Sequence, residues 1–175
     1  MKKFLGILSA GVTSIMMFVC LSIPCLRYEI GGSELSSFNG WGILSGKTTV
    51  AGREVSAVFA NLDNYSFMKT VMIIMLVLGC LLALLTIVMI LQQTGVIKSK
   101  SDFNVFNLLL LVAFVVCAVL LLIAVAKFNS EISATENMFY TSGVGLILNT
   151  VISALMMLVG VCAVIPAKRA KRKRK

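Results

Sequence analysis

Four long apolar runs without a single charged residue constrain this chain more than any other feature. They cover residues 4–26, 71–91, 103–126 and 144–165. An α-helix rises 1.5 Å per residue, so each run is long enough to cross about 30 Å of hydrocarbon. Only 13% of all residues are charged and the mean hydropathy is +1.00, far from the composition of a soluble domain. We therefore predict one all-α membrane domain over residues 1–175, a four-transmembrane helix bundle.

The first run has the basic start of a secretory signal peptide, because Lys2 and Lys3 precede it. Its apolar region is longer than the roughly 7 to 15 residues of a cleavable signal, and no A-x-A site follows. The residue before Cys25 is Pro24, where a lipoprotein signal has a small residue. We expect this run to be retained as a transmembrane helix.

The positions of the cations predict the orientation in the membrane. Only five of the 16 Lys and Arg residues fall in the loops 27–69 and 127–143, together with six of the seven acids. The other cations lie in the N-terminal residues, in the connection 92–102 and in the tail 167–175. By the positive-inside rule, both termini are cytoplasmic and the two loops face outward. The sequence thus predicts a multi-pass protein of the cell (cytoplasmic) membrane.

The tail 167–175 is strongly basic. A cationic cluster beside a membrane helix binds anionic headgroups with about 1 kcal/mol per basic residue, so the expected partner is the anionic cytoplasmic leaflet rather than nucleic acid. The alternative is a tail that only anchors the topology. The candidate lipid contacts are Lys168, Arg169, Lys171, Arg172, Lys173, Arg174 and Lys175.

Small or polar residues recur every four positions in the first and fourth runs. Such stripes let two helices approach closely in a membrane, so we expect these two helices to form the closest contact. The stripes serve either the internal bundle or association with another copy of the chain. They consist of Gly6, Ala10 and Ser14 in the first run, and of Gly145, Asn149 and Ser153 in the fourth.

The first outer loop, residues 27–69, predicts a small β structure. Residues 28–30 and the Gly pair after them indicate a strand and a turn, and residues 48–59 indicate a hairpin. Phe38 and Trp41, the only tryptophan, are the expected anchors, either buried or at the membrane interface. We expect the second outer loop, 127–143, to extend the neighbouring helices by one or two turns.

The residue types argue against most catalytic chemistry. The chain has no histidine and no Cys, Asp or Glu cluster at ligand spacing, so we expect no catalytic residues, no metal and no cofactor. The five cysteines all lie in or beside the apolar runs. Cys20 and Cys25 can pair only if Pro24 breaks the first helix, and the pairing is left open.

The arrangement of four spans, both ends inside and a larger strand-bearing first outer loop resembles the topology of claudins and peripheral myelin proteins. The claudin signature of W, G-L-W and two loop cysteines is not met: Trp41 stands in "GWGIL" and the loop has no cysteine. The stretch "IPCLRYEIGGSELSSFNGWGILSG" is more similar to the outer loops of small, poorly characterised bacterial four-span membrane proteins. That resemblance implies no particular activity.

Two functions fit these observations. The first is a non-enzymatic scaffold or accessory subunit that acts through its outer loop and helix faces, with another membrane protein or a second copy as partner. The second is a small oligomeric channel or transport component, lined by Asn149, Ser153 and Thr86. No ionisable group lies inside any apolar run, which disfavours proton-coupled or ion-coupled transport.

Overall fold

The computed structural model describes residues 2–30, 33–50, 53–56, 62–97, 102–136 and 140–165. Four helices are long and apolar enough to cross a membrane, which confirms the predicted four-helix membrane fold with its small β-containing region. The helices are α1 (Lys2–Ser22), α2 (Gly40–Ser45), α3 (Asp63–Gln93), α4 (Asn104–Glu136) and α5 (Val144–Val164). The strands are β1 (Pro24–Ile30), β2 (Ser33–Asn39), β3 (Lys47–Val50), β4 (Arg53–Ser56) and β5 (Thr141–Ser142).

The four long helices form a closed ring. Helix α1 packs against α3 and α5, and α4 packs against the same two helices on the other side. The contact between α1 and α5 is the most extensive of any pair of elements in the described residues, so the predicted close approach of these two helices is confirmed. Fully buried apolar side chains fill the ring, among them Met17, Met75, Leu82, Leu111 and Phe114.

One end of the bundle carries an antiparallel sheet whose strands differ in length and follow the order β4-β3-β2-β1-β5. Helices α1 and α4 end there, and α3 and α5 begin there; we call it the sheet end. We call the opposite end, where α3 ends and α4 begins, the basic end. In the sequence, the cation-rich segments overlap or directly adjoin the helix ends found there. The predicted hairpin is confirmed as β3 paired with β4, and the predicted strand at 28–30 belongs to β1. The predicted turn at 31–32 and the parts of the predicted hairpin at 51–52 and 57–59 lie outside the described residues.

Proline 24 explains why the first apolar run does not remain helical to its end. A residue before proline is pushed out of the helical region, so α1 stops at Ser22 and β1 begins at Pro24. Two other helices extend beyond their apolar runs at the sheet end. Helix α4 continues to Glu136, as expected for extra turns contributed by the second outer loop. Helix α3 begins at Asp63, in a part of the first outer loop that was not predicted to be helical.

Helix α2 is an element that the sequence patterns did not predict. The side chain of Asn39 caps it by accepting a hydrogen bond of 2.6 Å from the backbone N–H of Gly42. Gly46, with φ of 73°, ends the helix in the left-handed conformation that favours glycine. Gly40 lies against α1, where an added Cβ would come within 2.8 Å of Leu21 Cα. The glycine spacing of this stretch therefore permits a capped helical turn packed on the end of α1.

Candidate functional site

Five aromatic rings join the sheet to the bundle. Tyr140 is central, with ring centroids at 5.5 Å from Tyr28, 5.7 Å from Phe38 and 6.0 Å from Phe128. Tyr65 completes the group at 5.9 Å from Phe128 and 6.3 Å from Phe38. These residues, which we call the aromatic cluster, come from β1, β2, α3, α4 and the segment before β5. Their tilted and edge-on contacts stabilise the junction beyond simple burial of area.

Hydrogen bonds fix Tyr140 within this cluster. Its hydroxyl pairs with Ser36 Oγ at 3.4 Å, and Ser36 pairs in turn with Thr48 at 2.9 Å. The side chain of Asn129 accepts from the backbone N–H of Tyr140 and donates to its carbonyl oxygen. Burial raises the pKa of Tyr140, although the bond to Ser36 acts in the opposite direction. The hydroxyl therefore stays uncharged at neutral pH and can serve as a structural hydrogen-bonding group.

Three further hydrogen bonds hold the start of α3. The Tyr65 hydroxyl donates to the carbonyl oxygen of Ile43 at 2.9 Å, which ties α2 to α3. Glu131 of α4 accepts from the backbone N–H of Asn64 at 3.3 Å and from its side-chain amide at 2.7 Å. A carboxylate at the first turn of α3 also complements the positive end of the helix dipole. The sheet end is thus a fixed platform and not a loose tether.

A groove of about 510 Å³ opens on this platform. Its volume lies within the range of small-molecule and peptide sites, about 300 to 1,000 Å³. Polar groups and one large aromatic side chain share its wall, an arrangement that suits recognition of a polar ligand with an apolar face. Its lining consists of Ser37, Asn39, Trp41, Gly42, Leu44, Ser45, Lys47 and Thr48. We call it the Trp41 groove.

The two expected anchors of the outer loop behave differently. Phe38 is completely buried in the aromatic cluster, as an anchor should be. Trp41 is 49% exposed, so the expectation that it is a buried anchor was wrong. The physical reason is helix α2: once Asn39 caps this turn, Gly40 and Ile43 face the bundle and Trp41 falls on the opposite, solvent-facing side. A position at the membrane interface stays a prediction.

The candidate packing positions all lie inside the bundle. Gly6, Ala10 and Ser14 of α1 are buried, and so are Gly145, Asn149 and Ser153 of α5. An added Cβ at Gly145 would come 3.1 Å from the carbonyl oxygen of Ile23, so this glycine permits close contact between α5 and the end of α1. Gly6 instead faces Asn104 and Met89, which shows that part of the α1 stripe contacts α3 and α4.

A polar group near the basic end also crosses between helices. The side-chain amide of Asn107 donates to the carbonyl oxygen of Gly6 at 3.1 Å and to Ser9 Oγ at 3.0 Å. Asn107, Ser9 and Asn104 are all buried. These bonds satisfy polar atoms that hydrocarbon would otherwise leave without partners. The predicted lipid contacts from Lys168 to Lys175 lie outside the described residues.

The aromatic cluster and most of the Trp41 groove were not predicted from the sequence. A signal for the cluster was present, because an aromatic residue flanks each apolar run at the sheet end: Tyr28, Tyr65, Phe128 and Tyr140. Aromatic residues at that position are typical of membrane interfaces, and here they meet one another. The groove had no comparable signal, because it depends on how α2 is placed between β2 and β3.

The cysteines are free thiols in this structure. Cys20 and Cys25 are both buried, and burial raises the pKa of Cys25 to about 12. Among the described residues, no group of three or more His, Cys, Asp or Glu side chains is placed to hold a metal ion. The donors that remain for a metal or a cofactor in the described residues are therefore thiols, thioethers and amide oxygens.

The fold defines the class of protein: this chain is a multi-pass integral membrane protein with four spanning helices and an ordered sheet at one end. No model of a known protein family matches the sequence, and no curated protein matches it either. The function must therefore be inferred from the site itself.

Proposed function

We propose that this protein is a non-enzymatic integral protein of a bacterial cytoplasmic membrane. It acts as a scaffold or accessory subunit by binding another membrane protein at its sheet end. The observation that carries the proposal is the Trp41 groove. A half-exposed tryptophan beside polar groups is typical of a binding hot spot. The aromatic cluster fixes the sheet end that carries the groove, so less conformational entropy is lost when a partner binds.

The proposed orientation places the sheet end outside the cytoplasm. Its basis is the charge distribution, because the cation-rich segments adjoin the basic end. Claudin-type proteins, whose topology this chain resembles, have both termini inside. We propose the same orientation for this chain. Anionic lipids of the inner leaflet are the proposed partners of residues 168–175.

Cysteine labelling tests the orientation. Ser45 lies exposed at the sheet end and Thr94 lies exposed beside the basic end. We expect Ser45→Cys to react with a membrane-impermeant maleimide on spheroplasts and Thr94→Cys to react only after permeabilisation. The unchanged chain reports the background from its own cysteines. Reaction of Thr94→Cys in sealed spheroplasts would reverse the orientation.

Partner capture tests the binding proposal. The tagged chain is crosslinked in intact cells, purified in mild detergent and compared with Trp41→Ala. We expect Trp41→Ala to lose a co-purifying membrane protein because its indole is the largest contact surface of the groove. Phe67→Ala is the matched control, since Phe67 is an exposed aromatic on α3 near the same end but outside the groove. Equal recovery of the partner with Trp41→Ala would refute the proposal.

The channel alternative has less support from the positions of its candidate lining residues. Asn149 and Ser153 are 3% and 1% exposed inside the bundle. The hydroxyls of Ser153 and Thr86 donate to the carbonyl oxygens of Thr150 and Leu82 in their own helices. Conduction past these groups would require the packed helices to separate. A liposome flux assay on the purified protein distinguishes the two functions, and sustained conductance would favour the channel.

A further inference from the structure

A small cavity lies inside the bundle near the sheet end, between α1, α3, α4 and α5. Its volume is about 10 Å³, which is close to the smallest space that holds one water molecule. A single ion or water therefore fits, and a larger ligand does not. The lining residues are Met17, Cys20, Leu21, Cys25, Met72, Leu121, Gly145, Leu146 and Asn149.

Four sulfur-containing side chains line this space, and we call it the sulfur cavity. Cys20 and Met17 stand one turn apart on α1, Cys25 returns to the cavity from β1, and Met72 enters from α3. All four are buried. The break at Pro24 brings the two cysteines together, so that Cys25 Sγ lies 3.5 Å from the carbonyl oxygen of Cys20.

The side chain of Asn149 also lines the cavity. Its carbonyl oxygen is buried and accepts no hydrogen bond within the described part of the chain. Asn149 therefore gives the wall of the cavity one polar group beside the sulfur atoms.

We propose that the sulfur cavity binds one Cu(I) ion through the sulfur atoms of Cys20 and Cys25, with the thioethers of Met17 and Met72 as supporting ligands. Thiolate and thioether sulfur are soft ligands that select Cu(I), whereas zinc sites use Cys, His and carboxylates. No sequence pattern indicated such a site, because its donors come from three elements and two of the donors are methionines.

Both cysteines bind as thiolates, because the deprotonated sulfur is the metal ligand. Their two protons pass to the solvent when Cu(I) enters, and the ion with its two thiolates carries one net negative charge. No oxidation or reduction takes place in this step. A single buried water is a poorer occupant, because it needs two to four polar partners and thiols are weak hydrogen-bonding groups.

A competition titration tests the site on the full chain in detergent micelles, reduced and without oxygen. Cu(I) is supplied as its complex with a chromophoric Cu(I) chelator, and the loss of the chelator's colour reports transfer to the protein. The tested chain carries Cys80→Ser, Cys117→Ser and Cys162→Ser, so that Cys20 and Cys25 are its only thiols. We expect one ion per chain, and X-ray absorption spectra with sulfur as the nearest neighbours.

Substitutions in the same background identify the ligands. We expect Cys20→Ser and Cys25→Ser each to lose stoichiometric binding, and Met17→Leu to lower the affinity without abolishing binding. Met17→Leu nearly conserves the side-chain volume, so it remains informative if a cysteine variant fails to fold. Leu155→Met, at a lipid-exposed site on α5, is the control for an added thioether and should bind as its parent does.

Three outcomes would overturn the proposal. The first is no transfer of Cu(I) from the chelator to the folded chain. The second is undiminished one-to-one binding when Cys20 and Cys25 are both replaced by serine. The third is a Cys20–Cys25 disulfide in protein extracted from cells with an alkylating reagent, because that bond would occupy both thiols. None of these outcomes depends on partner binding at the Trp41 groove.

Discussion

Replacing Phe38 with alanine is expected to detach the sheet from the helix bundle. The ring is completely buried and contacts both Tyr65 and Tyr140. Truncating a buried phenylalanine costs about 3–5 kcal/mol, because apolar contacts are lost and a cavity remains. Limited proteolysis of the protein in lipid nanodiscs measures the effect, and we expect rapid cleavage between residues 30 and 62.

Trp41→Ala is the matched control for this experiment. Trp41 lies on the same short stretch of chain as Phe38, but it is half exposed. Its replacement should change the free energy of unfolding by less than about 0.5 kcal/mol and leave cleavage at the rate of the unchanged protein. If both variants were cleaved equally fast, the aromatic cluster would not be what holds the sheet.

Gly145→Leu is expected to destabilise the bundle at the contact between α1 and α5. A Cβ at this position would lie 3.1 Å from the carbonyl oxygen of Ile23 and 3.2 Å from that of Pro24. Both neighbours are backbone atoms, so a leucine must push α5 away from the end of α1. Overpacking of this kind costs about 1–3 kcal/mol, which thermal unfolding in detergent micelles can detect.

Two substitutions on the same helix calibrate that result. Val151→Leu adds volume on the lipid-exposed side of α5 and should change the free energy of unfolding by less than about 0.5 kcal/mol. Asn149→Leu removes a buried amide whose carbonyl oxygen accepts no hydrogen bond in the described residues, and even a formed interhelical hydrogen bond in a membrane averages only about 0.6 kcal/mol. A larger loss for Asn149→Leu than for Gly145→Leu would contradict a bundle held mainly by close backbone packing.

The four spans were predictable because length and the absence of charge are sufficient criteria for a membrane helix. The β3–β4 hairpin was predictable for a different reason: β-branched residues stand in the sequence on both sides of an Ala-Gly pair, a residue pair that favours turns. The contact of α1 with α5 followed from the spacing of small residues such as Ala10 and Gly145. In each case a local pattern already contained the physical cause of the structure.

Strand β2 and helix α2 were not predictable from such patterns. The sequence of β2, SELSSFN, has little alternation, and it is a strand because β1 and β3 pair with its two edges. Helix α2 depends on the cap at Asn39 and on the space that Gly40 leaves beside Leu21. The exposure of Trp41 and the groove around it are consequences of these tertiary contacts.

The sulfur cavity was likewise not predictable from local sequence patterns. Cys20 and Cys25 are five positions apart, which on a continuous helix would place them on different sides. They meet because Pro24 ends α1, and Met72 joins them from a helix far along the chain. No spacing rule for metal ligands predicts a group assembled in this way.

Hydrogen exchange on the full chain in lipid nanodiscs tests most directly the central claim, that an ordered sheet fixed to the bundle presents the Trp41 groove. The amide of Val96, in the exposed turn after α3, serves as the fast-exchanging reference. We expect the amides of β1 and β2 to exchange far more slowly than this reference, because β2 is paired on both edges and Phe38 fixes it to the helices. Exchange of β1 and β2 as fast as that of Val96 would contradict the account.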